Sequence, residues 1–386
     1  MEKEKNYLIV GTGGVGGSIA GFLALGGKQV TCIARGAQLE AIRQHGLHLK
    51  SDLKGEHWLK VPACTAEAYE GKADVIFVCV KGYALDSIQD LLRRVATPDT
   101  LVVPILNVYG TGERLARLVP EVTVLDGCIY IVGFISGPGE ITQSGSVFRL
   151  VYGARSSQPV ARERLEALGE ELRGCGIKVD VSEDINRDTF IKWSFISAMA
   201  CTGAYFDVPM GEVQHAGEVR DVFAGLSRES TEIGRRLGIT FPQDQVAYNL
   251  MVVDKLDPSS TASMQKDLAH GHESEIQGIL FDMIALGERL GVEMPTYQRV
   301  AGKFRGEEVF IPAESLFRCR KSPFPPGLTM LFFEKKSPFH PGLTVAFFSK
   351  KNRLSAGMTM LFFSRKCSFQ PESGGNFIIF WRVDHL

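Results

Sequence analysis

The chain has almost no net charge to offer a polyanion: 43 Lys and Arg stand against 44 Asp and Glu in 386 residues. Nucleic-acid binding through counterion release needs a basic surface, so no nucleic-acid partner is expected. Cysteine is sparse. Its eight positions (32, 64, 79, 128, 175, 201, 319 and 367) include no C-x-x-C pair and no zinc spacing. That pattern argues against a disulfide framework or a structural zinc and reads as reduced thiols of a cytoplasmic protein. Long apolar runs are missing too. No stretch reaches the roughly 18 uninterrupted apolar residues of a membrane helix, and the opening MEKEKNYLIV is too short in its apolar part for a signal peptide. The pair His270-x-His272 invites a metal, but residues two apart on a helix point to different faces. With no third ligand nearby, no metal site is expected.

What is present is a glycine turn close to the start. Asn6–Val10 is a short apolar strand candidate, followed by Gly11-x-Gly13-x-x-Gly16 and then a helix-compatible run, Ser18–Leu25. The first glycine permits a tight turn, the second lets the backbone approach a pyrophosphate, and the third lets helix and strand pack closely. The helix start then offers unpaired N–H groups and a positive dipole end to phosphate. Gly11, Thr12, Gly13, Gly14, Val15 and Gly16 are therefore candidate cofactor-binding residues. A second strand, Gln29–Ala34, ends in Arg35. An acidic residue in this place would bond a ribose 2′-OH, whereas an arginine accommodates a 2′-phosphate, so NADPH is the expected cofactor.

At 386 residues two domains are the prior. Up to about residue 182, apolar runs alternate with helix patterns. Ala73–Val80 delivers Lys81 and Gly82 at its C-terminal end, and Thr100–Leu106 delivers Asn107, with Pro104 marking an edge or irregular end. Glu121–Asp126, Ser146–Tyr152 and Ile177–Val181 read as further strands, and Ala84–Val95, Gly112–Leu118 and Arg162–Arg173 as helices. The fold class is thus α/β, a Rossmann-type doubly wound parallel sheet. Residues 183–304 form an all-helical second domain, with patterns over Arg187–Ala204, Gly217–Leu237, Phe241–Leu256, Ser259–His272 and Glu275–Leu290. A cleft between such halves is where small molecules bind. Residues 305–386 differ in kind. GLTMLFFEK, GLTVAFFSK and GMTMLFFSR recur every fifteen residues, and 12 basic residues face 6 acidic ones, against 31 and 38 in the residues before. This low-complexity repeat tail reads as disordered or non-native rather than as a membrane-surface appendage.

The glycine turn, Arg35, Lys81 and Asn107, together with FIKWSF around Lys192 and Ser263-Met264-x-x-Asp267 followed by Ser274-Glu275-Ile276, resemble the ketopantoate reductase family over about Tyr7 to Phe304. The resemblance implies a Rossmann domain and a helical C-terminal domain like that of 6-phosphogluconate dehydrogenase. It also implies NADPH-dependent reduction of a 2-keto acid, with a small-molecule partner and room for a homodimer. It places the catalytic roles on Lys192 and Glu275, and substrate contacts on Lys192, Ser260 and Ser263. An ammonium at Lys192 would polarise the ketone and give it a proton, while Glu275 would orient Lys192 and bond the nascent hydroxyl. Lys81 would sit near the cofactor's phosphates or the substrate, and Asn107 near the nicotinamide. Departures from the family pattern are Val108 in place of a glycine, and Ile196, Ala200 and Ser260 in place of asparagines. They leave the cofactor reading untouched and bear on which 2-keto acid is reduced: 2-dehydropantoate or another branched one. A non-catalytic NADPH-binding sensor is the alternative of another class.

Overall fold

The computed structural model describes residues 4–305, 328–335 and 342–349, and the chain divides into two compact units, Met1–Glu308 and Val309–Leu386. The first unit opens with β1 (Asn6–Val10), α1 (Gly14–Leu25), β2 (Gln29–Ile33), α2 (Gly36–His45), β3 (Leu47–Ser51), β4 (Gly55–Leu59), β5 (Ala63–Cys64) and β6 (Val75–Val78). A 3₁₀ turn over Gly82–Ile88 leads into α3 (Gln89–Val95), then β7 (Leu101–Pro104), α4 (Thr111–Leu118), β8 (Thr123–Val124), β9 (Asp126–Gly137), β10 (Glu140–Gly153), α5 (Arg162–Gly174) and β11 (Lys178–Val181). Helices follow: α6 (Ile185–Phe206), α7 (Glu218–Arg236), α8 (Gln245–Val253), α9 (Ser263–Ala269), a π-helical turn over Gln277–Phe281, α10 (Asp282–Leu290) and α11 (Pro295–Phe304).

Six parallel strands form the first sheet, in the order β5-β2-β1-β6-β7-β8. Its central strands are apolar throughout because both faces are covered. Alternate residues split between two cores: Tyr7, Ile9, Val75, Phe77, Leu101 and Val103 pack on one side, and Leu8, Val10, Ile76, Val78 and Val102 on the other. Pro104 lies in β7, an interior strand, and marks its irregular end. The α/β class holds, but not as one sheet. Ser146–Tyr152 falls in β10 and Ile177–Val181 largely in β11, and these two strands join β3 and β4 in a second sheet, with β9 paired to β10. Two hairpins create it. One turns at Gly139 and the other at Gly55, each with positive φ (75° and 82°), a conformation that costs glycine least.

Boundaries shift elsewhere for local reasons. α1 begins at Gly14, not Ser18, although Gly14, Gly16 and Gly17 are poor helix formers. A Cβ on Gly14 would meet the Gly133 oxygen at 2.2 Å, and one on Gly17 would meet Ile141 Cγ1 at 2.5 Å, so close packing overrides propensity. α8 starts late because Asp244 caps it, accepting from the Val246 and Ala247 N–H groups at 3.0 Å. Ser259–His272 contracts to α9. His270 and His272 therefore lie in the turn after that helix, where their rings stack at 5.8 Å instead of diverging. Among the described residues no helix is long and apolar enough to cross a membrane.

In the second unit, β12 (Leu328–Lys335) and β13 (Gly342–Ser349) pair antiparallel, with Leu328 opposite Ser349. The first two repeats thus supply strands within a tail whose sequence reads as disordered or non-native; threonine, phenylalanine and valine favour the extended chain. The third repeat, 357–365, lies outside the described residues.

Candidate active site

Four structural pieces bring the chemistry together: the ends of β6 and β7, the start of β9, the first half of α6, and the segment from α9 to the π turn. α6 is held by Phe190, Trp193, Ala198 and Cys201 in the helical core, which leaves Lys192 on the side facing the sheet. Lys192 is buried, 6% exposed, and its Nζ donates to Asn107 Oδ1 at 2.6 Å. Burial drives its pKa below the ordinary lysine value, opposed in part by the neighbouring Cys128 and Glu275. The same burial pushes the Cys128 thiol up to about 11. Tyr130, two residues on, presents its ring 6.0 Å from Lys192 Nζ and 5.3 Å from the Arg149 guanidinium.

Glu275 does not pair with Lys192; no hydrogen bond or ion pair joins them. Its Oε1 accepts from the Gly82 N–H at 3.2 Å and its Oε2 lies 3.4 Å from Lys81 Nζ. The expected helix Glu275–Leu290 is interrupted just after this residue by the π turn, whose loosened carbonyls are met from α6: Trp193 Nε1 donates to Gly278 O at 3.0 Å and Ser197 Oγ to Ile279 O at 2.6 Å. Gly278 lies so close to Val108 that a Cβ would come within 2.5 Å of Val108 Cγ2. This seat aims Glu275 at the end of β6. Lys81 also reaches Asp267 Oδ2 at 3.0 Å. Burial opposes the charge on Lys81, but Glu275 and Asp267 outweigh it and hold its pKa above the ordinary value. Ser263 is exposed on the first turn of α9, four residues before Asp267 and so on the same face. Ser260 lies in the preceding loop, its carbonyl accepting from the Met210 N–H at 2.9 Å.

The glycine turn is built for close approach. Gly11 has φ +97°, and a Cβ there would touch the Cys79 backbone at 2.9 Å. A Cβ on Gly16 would stand 2.1 Å from the Gly11 oxygen, whereas one on Gly13 would meet nothing within 4 Å. Space is thus open at Gly13, directly before the unpaired N–H groups of α1, whose first turn carries no acidic residue. Thr12 is tied down, its Oγ1 donating to Ile33 O at 3.0 Å, and Val15 packs on the core. Arg35 is exposed at the start of α2, with no ion-pair partner among the described residues. These features suit a dinucleotide: an open backbone cradle for the pyrophosphate and a free guanidinium near the end of β2. Among the described residues no three His, Cys, Asp or Glu side chains group as metal ligands would.

Sequence reasoning missed Cys128 and Tyr130, although Cys128–Val132 is an unbroken apolar run at the start of β9 that could have marked a strand. Asp267 stood in the recognised motif without a role.

A dinucleotide-type sheet followed by helices that send a buried lysine and a carboxylate to the strand ends defines an oxidoreductase architecture. The ketopantoate reductase PanE/ApbA family model matches residues 7–157 and its C-terminal counterpart residues 184–308. The chain belongs to this family. It is 26% identical over 294 residues to an uncharacterized oxidoreductase, YkpB, of Bacillus subtilis, covering 76% of this chain and 96% of the relative. It is 27% identical over 300 residues to a 2-dehydropantoate 2-reductase of Archaeoglobus fulgidus, covering 78% and 97%. A D-mandelate dehydrogenase, solved with NADH and anilino(oxo)acetate, shares the fold at a TM-score of 0.71 and 20% identity, over 78% of this chain and 98% of that one.

Proposed function

We propose that this protein reduces a 2-keto acid to the 2-hydroxy acid with NADPH, and that 2-dehydropantoate, giving pantoate, is its substrate. The observation that carries the reading is Lys192, an ammonium buried at the strand ends and aimed by Asn107. NADPH, when bound, supplies the hydride that reaches the keto carbon. Lys192 Nζ donates a proton to the oxygen that turns into the hydroxyl, so the ketone gains one hydride and one proton. A buried donor is matched to this task because its lowered pKa eases proton release. Asn107 holds the ammonium in place. Glu275 holds a negative charge behind it, and Ser260 and Ser263 bind the substrate carboxylate. Gly11 to Gly16, Lys81 and Arg35 bind the cofactor, Arg35 at the 2′-phosphate. We assign residues 1–182 to the cofactor and 183–304 to substrate and catalysis.

A second reading, another 2-keto acid with an apolar side chain, is favoured by the α6 face beyond Lys192. One and two turns on, Ile196 and Ala200 offer a substrate hydroxyl nothing to bond. A D-mandelate dehydrogenase of this fold, solved with NADH and anilino(oxo)acetate, supports this branch. Initial rates with NADPH and with NADH, against 2-dehydropantoate and a panel of branched and aromatic 2-keto acids, test both readings. Turnover of none of them would refute the reductase assignment.

A further inference from the structure

Lys192 is a buried ammonium without a counter-ion: among the described residues no carboxylate pairs with it. An unpaired buried charge is costly, so neutral groups have to hold it. Two stand next to the nitrogen. Asn107 Oδ1 accepts from Nζ at 2.6 Å, and the centre of the Tyr130 ring lies 6.0 Å from Nζ. The ring is fixed in that place. Tyr130 packs on Cys128, Val151 and Ile185, the last from α6 itself, and pairs with Arg149 across β9 and β10. An aromatic face carries negative potential, and within about 6 Å of its centre it attracts a cation far more than a neutral amine.

We propose that Tyr130 is a positioning residue for Lys192: the face of its ring, with the Asn107 oxygen, holds the ammonium in place and in its charged form. This role rests on the reading of Lys192 as the acid. A carboxylate in the same position would bind the ammonium more strongly, but it would cancel the charge and repel the carboxylate of a 2-keto acid. A ring does neither. The positive charge of Lys192 is left for an anionic substrate and for the oxygen that receives the proton.

The charged and titratable groups around Lys192 are otherwise engaged. On β9, burial keeps the Cys128 thiol neutral, and Asp126, which lines the same small cavity as Lys192, is paired with Arg155 at 2.9 Å. On β10, Arg149 lies 5.3 Å from the Tyr130 ring and is paired with Asp180. On α6, Asp188, one turn before Lys192, is bonded to Ser182 and Arg187. Glu275, just before the π turn, is bonded to Gly82 and Lys81. Burial also keeps Tyr130 a neutral phenol. At 6.0 Å, the outer part of its range, the ring should raise the Lys192 titration midpoint by about half a unit to one unit.

The test separates the electrons of the ring from its shape. Full-length, cofactor-free protein is labelled at lysine 13Cε and 15Nζ and titrated by NMR, the Lys192 signal being assigned by its loss in Lys192→Met. The parent is compared with Tyr130→Phe and with protein carrying pentafluorophenylalanine at position 130, a ring of nearly the same shape whose face is positive. The expected midpoint in Tyr130→Phe lies within about a quarter of a unit of the parent, and in the fluorinated protein about half a unit or more below it. A fluorinated protein whose midpoint equals or exceeds that of Tyr130→Phe would overturn the proposal, because the ring would then only pack. Tyr130→Phe falling as far as the fluorinated protein would overturn it too, because the hydroxyl would be the active part. The titration needs no turnover, so either failure leaves the reductase reading standing. A fluorine-sensitive midpoint in a protein that reduces no 2-keto acid would refute the reductase reading alone.

Discussion

Gly13 and Gly16 are three residues apart in one turn, yet alanine at each should fail in a different way. At Gly16 the new methyl would sit 2.1 Å from the Gly11 oxygen and 3.0 Å from Ile9 Cγ2, about 1 Å inside contact distance for the oxygen. The helix cannot simply back away, because Gly16 through Leu23 are all buried. Overpacking of this kind costs about 1–3 kcal/mol, beyond the ~1 kcal/mol that alanine returns as a better helix former. At about 2 cal/mol/K per residue over roughly 300 residues, a net loss of up to about 2 kcal/mol lowers Tm by up to about 3 °C. At Gly13 the methyl meets nothing, and the backbone (φ −87°) suits alanine, so Tm should stay within ~1 °C. The methyl would instead occupy the space through which a phosphate reaches the N–H groups. Loss of one charge-assisted hydrogen bond, about 1.5–3 kcal/mol, raises the NADPH Kd by roughly 10–100-fold. Thermal melts and fluorescence titration of NADPH separate the two outcomes. If Gly13→Ala binds NADPH as tightly as the parent, the cradle is not where the pyrophosphate lies.

Lys192→Ala should lower kcat by ~10²–10⁴-fold, as for loss of a positioned acid, and leave the NADPH Kd nearly unchanged. In the unaltered protein, turnover should be full at low pH and fall as pH rises through the Lys192 pKa, which burial places below the ordinary lysine range; a profile flat to pH 11 would contradict this. Arg35→Asp should raise the KM for NADPH by about 10–100-fold, with NADH little affected, and equal use of both cofactors by the parent would remove the basis for the assignment. A chain ending at Glu308, the limit of the first compact unit, should keep its Tm and turnover and gain solubility; loss of either would tie the repeats to the enzyme's stability.

The glycine spacing, the covered strands and the family were legible in the sequence because they rest on local rules. A tight turn needs glycine at a fixed offset, and a strand buried on both faces shows an unbroken apolar run, as in Ala73–Val80. Lys192, Asp267 and Glu275 stood in recognisable motifs for the same reason. What the tertiary structure decided was who meets whom. Strands β3 and β10 pair across some 90 residues, so no window of sequence could separate the second sheet from the first. Lys81 and Glu275 are 194 positions apart, and Lys192 and Asn107 are 85 apart. Each lysine could have taken either partner by charge or hydrogen bonding. Packing of α6 against the π turn and of the π turn against Val108 settles it, sending Glu275 to Lys81 and leaving Lys192 to an uncharged amide.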